Sequence, residues 1–103
     1  MSVYWSENAL LILRDIFAHI SGDSPEKAKS VVDRITSRSE QIALFPRSGR
    51  IVPEFDMPQI REIMENQYRI IYHIEPDKIQ ILTVIHTSMD FEDIINQHKC
   101  VMK

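Results

Sequence analysis

The chain has 103 residues, enough for one domain over residues 1–103 and too few for two. Its hydrophobic share of 44% and charged share of 26% are ordinary for a soluble globular protein, and no apolar run reaches the eighteen or so residues of a membrane span. The net charge of −3 argues against a broad, non-specific grip on nucleic acid, and a single cysteine, Cys100, excludes an internal disulfide and fits a reducing cytoplasm. The N-terminus has neither a basic nor an apolar leader region, so no signal peptide is expected.

Val3-Tyr4-Trp5 is β-prone and runs into Ser6, a good helix cap with Glu7 in the first turn, which predicts a brief strand leading into a helix. Leu10, Leu13, Phe17 and Ile20 recur at helical spacing, and Ala9, Ile12 and Ile16 widen the apolar stripe. Gly22 suits a left-handed residue closing that helix. Ser24-Pro25 restarts a helix whose apolar face is Ala28, Val31, Val32, Ile35, Ile42 and Ala43, and Pro46 ends it near Phe45. The short connection folds the two helices back as an antiparallel hairpin.

Ser48-Gly49 reads as a turn, and residues 51–58, with two prolines, as irregular surface chain. Ile60 to Glu65 is a predicted strand, Asn66-Gln67 a tight loop without the usual glycine, and residues 68–74 a second strand. Tyr68, Ile70, Tyr72 and Ile74 share one face of it, and Arg69, Ile71 and His73 the other. Glu75-Pro76-Asp77-Lys78 is a turn into a third strand, where Ile79, Ile81, Thr83 and Ile85 alternate with Gln80, Leu82, Val84 and His86. Both its faces are apolar enough for a central position. Phe91, Ile94, Ile95 and His98 predict a short C-terminal helix or tail. The fold class is therefore α+β: an antiparallel helical hairpin on a small, twisted, mainly antiparallel sheet, in the order β-α-α-β-β-β.

Four arginines stand between Arg34 and Arg50 against one acid, Glu40, so a local basic face survives the overall acidity. Arg69, inside an apolar strand, requires an anionic partner or an open edge: it contacts phosphate or an acidic groove, or it pairs with Glu62 on the next strand. Arg61 carries the same alternatives, with Glu54 or Glu65 as partner. Arg47 and Arg50 contact a target or lie on a solvated turn. His86 is either a general acid or base or a histidine bonded to a loop carbonyl. His86, Ser88 and Asp90 lie too close in sequence for a hydrolase triad, and His98 with Cys100 is too small a set for zinc. Tyr68 and Tyr72 stack on bases or, more simply, pack under the helices. Phe91, Ile94 and Ile95 complete the core or dock a partner.

The element order, together with Tyr4-Trp5-Ser6, Phe45-Pro46, Gly49-Arg50-Ile51-Val52-Pro53-Glu54, Arg61-Glu62, Tyr68-Arg69-Ile70-Ile71-Tyr72 and Val84-Ile85-His86, resembles the RelE/ParE superfamily of type II toxins, in its ParE-like, plasmid-stabilisation branch. The resemblance runs from residue 3 to about residue 90. It implies a bacterial, growth-arresting toxin with no cofactor, neutralised by a cognate antitoxin and aimed at DNA gyrase. The alternative branch cuts mRNA on the ribosome. That chemistry needs a base, an acid and a group to hold phosphate charge. The RelE-like branch uses lysine and arginine for it, whereas Ile60 and Glu62 flank Arg61 here, and Met89 followed by Asp90 stands where a basic residue is common. Arg61, Arg69 and His86 would be the catalytic set of a ribonuclease, a thin one, so the gyrase reading is preferred. For a binder, Arg47, Arg50, Arg61, Arg69, Phe91, Ile94 and Ile95 are the expected contacts with target or antitoxin. A third reading is a non-toxic homologue that only binds the antitoxin. The assembly is open between a homodimer and a toxin–antitoxin hetero-oligomer.

Overall fold

Ser6 fixes the first corner of the molecule. In the computed structural model, which describes residues 1–87, its hydroxyl accepts from the Ala9 N–H at 3.0 Å and donates to the Leu82 carbonyl at 3.2 Å. One side chain thus caps a helix and ties it to the sheet. Strand β1 (Ser2–Trp5) ends there and helix α1 (Glu7–Ser21) begins. Ser24 caps helix α2 (Pro25–Leu44) in the same way, with proline at the first turn. Four strands follow: β2 (Arg50–Ile51), β3 (Ile60–Glu65), β4 (Tyr68–Ile74) and β5 (Lys78–His86).

The sheet order is β1-β5-β4-β3-β2. Only β1 runs parallel to its neighbour, β5. The remaining pairs are antiparallel. β5 lies inside the sheet, between β1 and β4, as its two apolar faces predict, and β4 is the middle strand. The two-residue strand β2 is an addition to the expected order. It lies at the start of the segment read as irregular, and a strand of two residues leaves no periodic signal.

The helices cover one face of the sheet. Ala9, Ile35 and Ile42 meet Ile63, Ile70, Tyr72, Ile79, Ile81 and Val84 in a buried cluster. The other face holds Val52, Ile60, Ile71 and Ile85, with Phe55 and Leu82 packed against them. The expected faces of β4 are found. Those of β5 shift midway: Tyr72 pairs with Ile81 and Ile71 with Thr83, so Leu82 is an extra residue, a β-bulge. Beyond it Val84, not Thr83 or Ile85, joins the helix side.

Two further expectations are corrected. Gly22 is right-handed (φ −58°), because Asp23 and Ser24 both donate to the Ile20 carbonyl and the chain turns straight into α2. The inward stripe of α1 is Ala9, Ile12, Leu13 and Ile16, whereas Leu10 and Phe17 are exposed. That helix carries apolar residues on more than one side, and spacing alone does not say which side meets the sheet. In the loop between β3 and β4, Asn66 takes a positive φ of 52°, the conformation asparagine tolerates in place of glycine. The predicted C-terminal helix or tail lies outside the described residues.

Candidate functional site

The turn after α2 is pinned from below. The Tyr72 hydroxyl donates to the Pro46 carbonyl at 2.7 Å and accepts from the Gly49 N–H at 3.0 Å. Arg61 holds the same turn with charge: Nη1 donates to the Gly49 carbonyl at 2.9 Å and to the Arg47 carbonyl at 3.3 Å, and Nε donates to the Pro58 carbonyl at 3.0 Å. Gly49 is buried, and a Cβ there would stand 2.5 Å from the Tyr72 oxygen and 2.6 Å from the Glu62 carbonyl oxygen. Only glycine lets the backbone come this close. Burial raises the Tyr72 phenol pKa above its ordinary value, against the Gly49 N–H bond, the Arg61 charge and Ser48, all of which lower it.

The other face of β3 carries a charged triad. Glu62 is buried, its side chain 1% exposed, and its carboxylate lies between two guanidinium groups. Arg50 Nε donates to Oε1 at 2.5 Å. Arg69 donates to Oε2 through Nε, at 3.0 Å, and through Nη2. The Arg69 side chain is 14% exposed and that of Arg50 70%. Register explains the meeting: Arg50 lies opposite Glu62 on β2, and Arg69 is diagonal to it across β4. Two cations against one anion leave a net positive centre whose outward member is Arg50.

The structure therefore disperses the residues that sequence reasoning grouped. Arg61 lies opposite Tyr72, on the helix side of the sheet, whereas Arg69 shares the opposite side with Ile71. His86 lies on the helix side, opposite Tyr68, which is four positions along β4 from Tyr72, roughly 13 Å. Its ring meets Tyr68 edge-on at 5.2 Å, and Nε2 is 3.1 Å from the Gln67 side-chain oxygen. The expected Arg69–Glu62 pair is found. The expected partners of Arg61, Glu54 or Glu65, are replaced by backbone carbonyls, because Arg61 points to the side where the turn backbone passes. Arg47 is exposed on that turn. Tyr72 is part of the core, as the simpler reading holds. Phe91, Ile94 and Ile95 lie outside the described residues, as do Ser88, Met89, Asp90, His98 and Cys100.

Sequence reasoning missed the Tyr72 latch and the second arginine on Glu62. The signal for both was Gly49-Arg50 two residues after an exposed Arg47, which places a glycine where a strand begins. It also missed the exposure of Leu44 and Phe45, which sit at the end of a helix whose other apolar residues turn inward. Among the described residues no group of three or more His, Cys, Asp or Glu side chains could hold a metal ion, and no helix is long and apolar enough to cross a membrane.

Comparison with known proteins bears directly on this arrangement. Residues 3–91 match the family model of the ParE toxin of type II toxin–antitoxin systems, parDE. A relative from Sinorhizobium fredii (strain NBRC 101917 / NGR234), named "Putative toxin Y4kP", is 33% identical over 95 residues, covering 90% of this chain and 95% of its own. A solved structure described as the chromosomal ParDE TA system from P. aeruginosa superposes with a TM-score of 0.70 at 25% identity, covering 84% of this chain and 95% of that one.

Proposed function

We propose that this chain, which belongs to the ParE toxin family of type II toxin–antitoxin systems, arrests growth in the cytoplasm by binding and poisoning DNA gyrase, and that a cognate antitoxin neutralises it. One observation carries the choice of a binder over a nuclease. The three side chains that RNA cleavage would require stand apart. Arg69 is committed to a buried carboxylate on one face of the sheet. Arg61 is committed to three backbone carbonyls on the other. His86 stands at the far end of that face, against Tyr68 and Gln67. Cleavage through a 2′-hydroxyl needs its base, its acid and its phosphate-holding cation within a few ångströms of one phosphorus atom. The overall charge of −3 also suits a protein target better than ribosomal RNA.

Induced expression separates the readings. Poisoned gyrase gives DNA breaks and a damage response before protein synthesis falls. An immediate loss of translation with cut transcripts would instead establish the endoribonuclease, and harmless expression a homologue that only binds its antitoxin.

A further inference from the structure

We infer that the cleft at the C-terminal end of α2 is a docking site for an amphipathic, acidic segment of the antitoxin; this rests on the toxin–antitoxin reading above. The cleft has a volume of about 560 Å³ and is lined by Met1, Leu44, Phe45, Pro46, Arg47, Ser48 and Ile74. Leu44 and Phe45 are 73% and 67% exposed, the most exposed large apolar side chains of the molecule among the described residues.

Their exposure is built in. The backbone under them is held by the Tyr72 bond to Pro46, the Gly49 bond to Tyr72 and the Arg61 bond to Arg47. The carbonyls of Pro46 and Arg47 are thereby tied to the sheet, and Leu44 and Phe45, just before them in the chain, face water. Rigid apolar anchors of this kind lose little conformational entropy on binding.

Charge selects the occupant. Arg47 is the one ionisable side chain of the lining, and the chain from Gln41 to Pro53 holds Arg47 and Arg50 with no acid. Glu75 follows Ile74 in sequence but does not line the cleft. The complementary segment therefore presents aliphatic or aromatic side chains to Leu44, Phe45 and Ile74, with an aspartate or glutamate placed to meet Arg47. A second copy of this chain would present the same lining, which holds no acid to meet Arg47.

The test uses the full chain and, as probe, the purified product of the reading frame adjacent to its gene. Binding is measured by titration calorimetry for the wild type, for Leu44→Ser with Phe45→Ser, and for Arg47→Glu. Both positions are exposed, so serine at each is expected to leave the fold intact, which circular dichroism checks. The expected result is at least tenfold weaker binding for the double variant. Arg47→Glu is expected to weaken binding as well, with a shallower dependence on salt. Wild-type affinity in both variants would overturn the docking site while leaving the toxin–antitoxin reading intact. A wild-type chain that does not bind the probe at all would overturn both. A dimer in solution that the double variant converts to monomer would assign the cleft to self-association instead.

Discussion

Replacing Glu62 with alanine removes the anion from between two guanidinium groups of unequal burial, and the two should respond unequally. Arg69, with its side chain 14% exposed, loses the carboxylate that takes both its Nε and its Nη2 hydrogen bonds. Truncating one partner of a buried ion pair costs about 3–5 kcal/mol, since the remaining charge stays desolvated. Arg50, 70% exposed, regains water and contributes little. The lower end of the range, about 3 kcal/mol, is therefore expected for Glu62→Ala. For a domain of this size that is a fall in Tm of roughly 12–24 °C. Arg69→Ala should cost a similar amount, because the buried carboxylate then keeps the largely exposed Arg50 but loses the bonds from Arg69 to Oε2. Arg50→Ala should cost less than about 1 kcal/mol, as exposed pairs do. Urea unfolding followed by the fluorescence of Trp5, packed against the core from β1, gives all three values. The coupling of Glu62 to Arg69 should exceed that to Arg50 in double-mutant cycles. Equal costs for Arg50→Ala and Arg69→Ala, or a Glu62→Ala protein as stable as wild type, would refute the reasoning.

Gly49→Ala forces a Cβ to within 2.5 Å of the Tyr72 oxygen and 2.6 Å of a backbone carbonyl, so it should destabilise by about 2 kcal/mol or more in the same urea assay. Tyr72→Phe leaves the buried Gly49 N–H without its acceptor and should cost about 1–3 kcal/mol. The raised Tyr72 pKa gives a signed pH dependence. Above about pH 10 the unfolded chain releases the phenolic proton first, the native state holds it longer, and stability falls as pH rises toward the folded value. In Tyr72→Phe that part of the alkaline slope should disappear from stability measured across pH.

The helical hairpin was legible because its signals are local. Ser6, Ser24 and Pro25 mark starts that do not depend on what packs above them. The faces of β4 followed from strict alternation. The faces of β5 did not, because a bulge is a relation between two strands and Leu82 looks like any other strand residue. The same limit governs the site. Arg69 with Glu62 could be read because a buried charge demands an opposite one, and the hairpin register brings a single acid within reach. The expected acidic partners of Arg61 were wrong because those it has are carbonyls, which every residue carries and no sequence distinguishes. That Arg61 and Arg69 face opposite sides of the sheet follows from parity, since one precedes Glu62 and the other pairs diagonally with it. The parity has meaning only once the register is known.

Titration of the purified chain into a gyrase supercoiling reaction, alongside a cell-free translation reaction with the same protein, tests the central claim most directly. The expected result is blocked supercoiling with accumulation of cleaved DNA, relieved by the antitoxin, while translation proceeds and transcripts stay whole. Undisturbed supercoiling together with transcripts cut on the ribosome would contradict it.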